Sequence, residues 1–201
     1  MHKAILFDLG KVLVHFDFKR AYAQLEPLCA HPAAEIPRLL APTGLVERLE
    51  TGKVDPRDFV SQVCALLNLR VDYDEFRRIF GCIFTDVLIP EEMLERLAQR
   101  YRLVLLSNTN AIHIELIEER YGHLLRHFHR KILSHEVQAM KPDPAIFHAA
   151  IAAAECRPEE CFYTDDIAAF VEGARRLGID AVQFESREQI ERELRARGMW
   201  E

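Results

Sequence analysis

Six residues of types that bind divalent cations and phosphate groups occur at four separate places in this 201-residue sequence. They are Asp8, Ser107, Asn108, Lys141, Asp165 and Asp166. Three carboxylates that meet at one point repel each other unless a cation lies between them, and oxygen ligands favour a hard ion such as Mg²⁺. A lysine, a hydroxyl and a backbone N–H supply positive charge and donors for anionic oxygens. These groups together suit phosphoryl transfer, in which positioning and charge neutralisation provide most of the catalysis.

Short apolar runs precede most of these residues, and they predict the strands that would bring the six together. The runs are residues 3–7, 102–106, 131–133, 161–163 and 181–184. Their apolar character is continuous rather than alternating, which is typical of parallel strands that are covered on both faces. In an open parallel sheet, ligands bind beyond the carboxyl ends of the strands. We therefore expect the six polar residues to meet at that edge of the sheet.

Helical patterns alternate with these runs, over residues 90–100, 111–121, 144–154, 168–177 and 187–197. Asp143 followed by Pro144 has the residue types of a helix N-cap and first turn. Gly178 after Leu177 is the expected C-terminal stop. Alternation of strands and helices predicts an α/β fold with a doubly wound parallel sheet, similar to the Rossmann fold.

The segment from residue 18 to residue 89 interrupts this alternation. It contains no convincing strand run, but it has amphipathic helical stretches at residues 20–28, 34–40, 56–67 and 73–80. We interpret it as a helical cap domain, inserted into an α/β core domain formed by residues 1–17 and 90–201. Within the cap, the turn at residues 45–53 is the candidate for a loop that reaches toward Asp8. Phe76, Phe80 and Phe84 have helical spacing and predict the apolar core of the cap.

Composition excludes several classes of function. The chain has 26 Lys and Arg against 32 Asp and Glu, a formal net charge of −6, which is not the basic character of a nucleic-acid binder or of a protein drawn to anionic lipid. No apolar run approaches the roughly 18 residues of a membrane span. The five cysteines are scattered without a CxxC pair, so we expect reduced thiols and a cytoplasmic protein. The sequence leaves open whether the protein is a monomer or a homodimer.

The motifs in this order resemble the haloacid dehalogenase (HAD) superfamily, in the branch that has a helical cap after the first strand. The resemblance spans the whole chain through FDLG at residues 7–10, LSNT at 106–109, MKP at 140–142, YTDD at 163–166 and EGA at 172–174. Each motif alone is common. Their order within a strand–helix pattern is what makes the resemblance specific.

The resemblance implies catalytic roles for matching residues. Asp8 would be the nucleophile that forms an aspartyl-phosphate. Lys141 would neutralise Asp8 and the transferring group, while Ser107 and Asn108 would bind the phosphoryl oxygens.

The resemblance also implies Mg²⁺ as the cofactor and a set of ligands for it. Asp8 would bind the metal as well as attack phosphorus, and Gly10 would contribute its backbone carbonyl. Asp166 would be the more direct ligand of the acidic pair, while Asp165 would bridge to Lys141 or to bound water.

The sequence departs from the superfamily pattern mainly at two positions, and Lys11 also replaces the Gly or Asn that is usual after the first motif. HAD phosphatases usually carry a second aspartate two residues after the nucleophile, where this chain has Gly10. Loss of a positioned general acid–base costs about 10²–10⁴ in rate, and the loss is smaller when the leaving oxygen is weakly basic, as in a sugar 1-phosphate. His15 and Asp17 are nearby candidates for the missing general acid–base. Phe170 stands where relatives often have an Asn or Asp that orders the outer shell of the metal.

The Asp-Leu-Gly opening and the Ser-Asn-Thr-Asn run at residues 107–110 resemble the bacterial subgroup of glucose-1-phosphate phosphatases. The resemblance thus implies a Mg²⁺-dependent phosphatase of small phosphorylated metabolites, with sugar phosphates among the substrates. Two alternatives stay open. A 2-haloacid dehalogenase also lacks the second aspartate, but it needs no metal and usually lacks a paired carboxylate in the last motif. A non-catalytic binding protein of the same fold would account for Gly10 and Phe170 together.

Overall fold

The computed structural model describes all 201 residues and contains seven strands. They are β1 (Ala4–Phe7), β2 (Val14–Phe16), β3 (Phe84–Val87), β4 (Arg102–Ser107), β5 (Arg130–Leu133), β6 (Cys161–Asp165) and β7 (Asp180–Gln183). Five of them form one sheet in the order β5-β4-β1-β6-β7, and every neighbouring pair is parallel. Each predicted strand is present within two residues of its expected ends. The predicted α/β fold with a parallel sheet is confirmed.

Eleven helices accompany the strands. They are α1 (Phe18–Leu25), α2 (Ile36–Leu40), α3 (Leu45–Glu50), α4 (Pro56–Leu67), α5 (Tyr73–Gly81), α6 (Glu91–Ala98), α7 (Ala111–Leu125), α8 (Ser134–Val137), α9 (Pro144–Ala154), α10 (Ala168–Arg176) and α11 (Arg187–Ala196). The expected cap at Asp143 is formed, because its carboxylate accepts a hydrogen bond of 2.8 Å from the backbone N–H of Ala145. None of the helices combines the length and the apolar character that a membrane crossing requires.

Helices cover both faces of the sheet, which explains the continuous apolar runs of its strands. On β1, Ile5 and Phe7 face one apolar cluster, which also contains buried residues of α6, α7 and α11. Ala4 and Leu6 face a second cluster with residues of α9 and α10. All four side chains on this central strand are fully buried.

The insertion after β2 consists of the five helices α1 to α5, and the expectation that it has no strand is wrong. Residues 84–87 form β3, which pairs antiparallel with β2, so Phe84 lies on a strand rather than a helix. This strand is short and half-exposed, and its partner is about 70 residues away in the sequence, so no local pattern indicates it. The division into a core and a cap at residues 17 and 89 stays a prediction.

The segment expected to be a turn at residues 45–53 begins as helix α3, which ends at Glu50. Leu45 and Leu49 lie four residues apart, and both are buried, so burial of one apolar face stabilises this short helix. The turn itself follows at Gly52, whose φ of +66° is left-handed.

His113 lies at the contact between α7 and the inserted helices. Its ring stacks on Phe80 with centroids 4.2 Å apart, and Phe84 and Phe18 flank it at 5.3 and 6.0 Å. Its Nδ1 is 3.1 Å from the Asn110 side-chain amide. Burial lowers the pKa of His113 to about 3, so the imidazole is neutral in the folded protein.

This buried histidine should make the folded state sensitive to acid. The unfolded chain binds a proton at His113 below about pH 6.5, while the folded chain does not bind it until about pH 3. The free energy of unfolding should therefore fall by about 1.4 kcal/mol per pH unit through this residue as the pH drops below 6.5. Urea titrations between pH 7 and 4 should show a shallower fall for His113→Gln. The exposed His148→Gln serves as the control, and equal slopes for all three proteins would contradict the assignment.

Candidate active site

The parallel register places the predicted residues at one edge of the sheet. In β1, Phe7 is level with Leu105 of β4 on one side and with Thr164 of β6 on the other. Asp8 therefore follows the central strand between the carboxyl ends of its two neighbours. Ser107 ends β4, Asp165 ends β6, and Lys141 enters from the connection between α8 and α9.

Three carboxylates and one lysine form the centre of this site. Carboxylate oxygens of Asp8, Asp165 and Asp166 lie within 4.8 Å of one another. The Lys141 ammonium donates hydrogen bonds to Asp8 Oδ1 at 2.7 Å, to Asp165 Oδ2 at 2.6 Å and to the Leu106 carbonyl at 3.1 Å. One positive charge against three carboxylates leaves negative charge that a divalent cation would neutralise. The all-oxygen donor set fits Mg²⁺.

Burial is the main influence on the pKa values of Asp8 and Asp166. It raises the pKa of Asp8 to about 7, although the adjacent Lys141 ammonium opposes this rise. Burial and the neighbouring Asp165 raise the pKa of Asp166. The two carboxylates that contact Lys141 more than offset its burial and raise its pKa, so this lysine stays charged. A bound cation would favour the ionised carboxylates instead.

The acidic pair divides into one carboxylate that is held by the protein and one that is not. Asp165 is fully buried and accepts hydrogen bonds from Lys141, from the Tyr163 hydroxyl and from the Ile167 backbone N–H. Asp166 is half-exposed at the edge of an open cleft. The geometry therefore leaves Asp166 as the more available ligand. Sequence reasoning missed Tyr163, although its position two residues before Asp165 on a strand indicates the same face.

Asn108 holds the loop that carries the lysine. Its side-chain oxygen accepts a hydrogen bond of 2.8 Å from the backbone N–H of Lys141, and its side-chain NH₂ donates one of 3.0 Å to the Lys141 carbonyl. The Ser107 hydroxyl, which makes only a long hydrogen bond of 3.5 Å to the Asn108 carbonyl, and the backbone N–H of Asn108 are then the donors for an anionic group.

The two departures from the superfamily pattern have structural counterparts. A Cβ on Gly10 would lie 2.5 Å from the Phe16 ring, so this ring fills the space where an aspartate would begin. The ring of Phe170 lies 5.2 Å from the Lys141 ammonium, close enough for a cation–π contact. Phe170 thus contacts the lysine through its aromatic ring. An Asn or Asp at this position could not make this cation–π contact.

The two residues suggested as the missing general acid–base make other contacts in the structure. Asp17 caps α1 by accepting a hydrogen bond of 2.9 Å from Lys19 N–H. His15 contacts the Thr85 hydroxyl at 3.0 Å and lines an open cleft of about 620 Å³ that also includes Asp166.

A small, partly open cavity of about 70 Å³ lies between the sheet edge and the inserted helices. Gly10, Ser107 and Asn108 line its sheet side, and Glu50 at the end of α3 lines the side of the inserted helices. Sequence reasoning missed Glu50, but it lies in the segment 45–53 that was expected to reach toward Asp8.

A model of haloacid dehalogenase-like hydrolases matches residues 2–178 of the chain. The chain belongs to this family. It is 28% identical over 194 residues to a D-ribitol-5-phosphate phosphatase of Bacteroides thetaiotaomicron, which covers 92% of this chain and 93% of the relative.

Two solved structures of the family superpose over nearly the whole molecule. One is a HAD family enzyme of Bacteroides thetaiotaomicron in complex with magnesium and inorganic phosphate, with a TM-score of 0.81, 25% identity and coverage of 93% and 96% of the two chains. The other is a HAD-like family hydrolase of Porphyromonas gingivalis, with a TM-score of 0.83, 27% identity and coverage of 97% and 98%.

Asp166→Asn should separate charge repulsion from metal binding. Removing one clustered carboxylate should raise the melting temperature in EDTA by roughly 2–4 °C, the equivalent of about 1 kcal/mol for a chain of this size. The variant should also lose most of the stabilisation that Mg²⁺ gives the wild-type protein. Thermal unfolding with and without Mg²⁺ measures both effects. The exposed Asp74→Asn should behave like wild type, and an unchanged Mg²⁺ response of Asp166→Asn would exclude this carboxylate as a ligand.

Proposed function

We propose that this HAD family member is a Mg²⁺-dependent phosphatase of small phosphorylated metabolites. The observation that carries the proposal is the buried Asp8, which contacts Lys141 and shares one small volume with two further carboxylates. A relative that is named a phosphatase of a pentitol phosphate supports it, as does a related structure with magnesium and inorganic phosphate.

The reaction has two steps on Asp8. The carboxylate attacks phosphorus, the bond from phosphorus to the ester oxygen breaks, and the leaving alkoxide takes up a proton from solvent and departs as the alcohol. Water then attacks the phosphorus of the aspartyl-phosphate, and inorganic phosphate leaves while the Asp8 carboxylate is regenerated.

The surrounding residues position and neutralise the transferring group. Lys141 keeps its charge next to Asp8, and the Ser107 hydroxyl and the Asn108 N–H donate hydrogen bonds to phosphoryl oxygens. When bound by Asp8, Asp166 and the Gly10 carbonyl, Mg²⁺ supplies charge neutralisation for the carboxylates and the phosphoryl oxygens. Asp165 positions Lys141 from the opposite side.

The alternatives are less well supported by the site. A dehalogenase that works without metal has no use for three carboxylates in close proximity, and their mutual repulsion would be uncompensated. A pure binding protein does not require a buried carboxylate with a raised pKa beside a charged lysine, which is typical of a catalytic site. We also propose a cytoplasmic location, because all five thiols are free.

Asp8→Asn should abolish turnover because it removes the nucleophile. We expect phosphate release from a panel of sugar and polyol phosphates to fall by roughly 10³-fold or more, and EDTA to inhibit the wild-type enzyme. Asp74→Asn is the matched control for loss of one exposed carboxylate. Turnover of a 2-halo acid that survives EDTA would favour the dehalogenase, and equal inertness of wild type and Asp8→Asn would favour the binding protein.

Gly10→Asp should restore an acid near the leaving oxygen if the Phe16 ring is removed from the space that the new side chain needs. In a Phe16→Ala background, which removes the ring that the new Cβ would meet, we expect hydrolysis of alkyl phosphates to rise about 10-fold or more. Sugar 1-phosphates should gain less, because their leaving oxygen is less basic. Initial rates for both ester classes measure the difference, with Gly10→Asn in the same background as the control. Equal gains for the two classes would remove the argument from leaving-group basicity.

A further inference from the structure

Glu50 faces the sheet side of the site across the small cavity of about 70 Å³. Apart from His113, it is the only side chain with an ionisable group among the residues that line this space. The Nδ1 atom of His113 already pairs with Asn110, and its ring stacks on Phe80. The Glu50 carboxyl is therefore the polar group of the inserted helices that is available to a ligand in the cavity.

Nothing in the protein compensates for the burial of this carboxyl. Burial raises the pKa of Glu50 to about 7, and no hydrogen bond or opposite charge acts against the rise. A ligand that supplies a hydrogen bond to a partly desolvated carboxyl is favoured. Glu50 is half-buried and makes no side-chain hydrogen bond within the protein, so its carboxyl is available to a ligand at the point where a substrate would enter the cavity.

The opposite wall of the cavity identifies the part of the substrate that Glu50 would meet. Ser107 and Asn108 are the proposed donors to the phosphoryl oxygens, so an ester held there directs its first carbons into the cavity. The cavity is small, about 70 Å³, so the first atoms beyond the ester oxygen are the ones placed against Glu50.

The chemistry of the cavity favours a hydroxyl on those atoms. A hydroxyl both donates and accepts, so it pairs with the glutamic acid and with the glutamate alike. An ammonium only donates, so it would pair best with the ionised form, and a second anion would be repelled by that form. Aromatic side chains of Phe16, Phe18 and Phe84 form much of the remaining wall and offer no competing hydrogen bond.

We propose that Glu50 binds a hydroxyl on the carbon next to the ester carbon and so selects phosphomonoesters of polyols and sugars over simple alkyl phosphates. This inference rests on the proposed phosphatase function. It assigns to Glu50 the recognition of the leaving group, while Asp8 and Lys141 act on phosphorus.

Two esters that differ by one hydroxyl test the proposal. The wild-type enzyme with Mg²⁺ should hydrolyse 2-hydroxypropyl phosphate with a kcat/KM about 10- to 100-fold above that for propyl phosphate. Glu50→Ala should reduce this ratio to within about threefold, mainly through a higher KM for the hydroxylated ester. Glu50→Gln keeps the shape and an acceptor oxygen, so it should retain an intermediate ratio. Glu47→Gln, an exposed change on the same helix, should retain the full ratio.

Several outcomes would overturn the role of Glu50. Equal losses for both esters in Glu50→Ala, with Glu50→Gln behaving like the alanine variant, would indicate a group that supports the fold or the chemical step. Faster wild-type turnover of 2-aminopropyl phosphate than of the hydroxylated ester would indicate a cation site. Melting curves of both variants exclude simple unfolding.

The failure of this inference can be distinguished from failure of the phosphatase function. If neither ester nor the wider panel releases phosphate in an Asp8-dependent manner, the proposed function is wrong and the role of Glu50 falls with it. If Asp8-dependent release occurs but its hydroxyl preference is unchanged in the Glu50 variants, only the role of Glu50 is wrong.

Discussion

The contact of Lys141 with Asp8 and Asp165 is the interaction on which the rest of the site depends. Burial works against the charge of both Asp8 and Lys141. The two carboxylates at 2.6 to 2.7 Å raise the pKa of Lys141 and keep it charged, while Lys141 opposes the rise in the pKa of Asp8. This requires that β1, β6 and the loop before α9 be fixed relative to one another. Asn108, Tyr163 and the parallel register provide that fixation.

A second constraint is that the inserted helices place a largely apolar surface beside this charged centre. The aromatic side chains around His113 keep water from the interface and keep this histidine neutral. Water-poor surroundings strengthen every charge interaction below them, which suits phosphoryl transfer. The same surroundings make an unpaired polar group costly, so a ligand that forms a hydrogen bond with the Glu50 carboxyl is favoured.

The departures from the superfamily pattern form a consistent set around the same centre. Phe16 occupies the space beside Gly10, and its ring also lies 5.2 Å from the Lys11 ammonium. Lys11 adopts a left-handed φ of 59°, which lets its chain turn back over that ring. The ring of Phe170 contacts the Lys141 ammonium. Aromatic rings thus stand at two places where the family pattern has polar side chains.

The sequence by itself determined the parallel sheet, the helices that alternate with it and the six polar residues at its carboxyl edge. Those features depend on local information: continuous apolar runs, helix caps such as Asp143, and motifs of a few residues. The tertiary structure alone decided that residues 84–87 pair with β2, that Asn108 holds the lysine loop, and that Glu50 faces the cavity. Each depends on a partner far away in the chain, and a half-exposed strand or a single carboxyl carries no local pattern that identifies its partner.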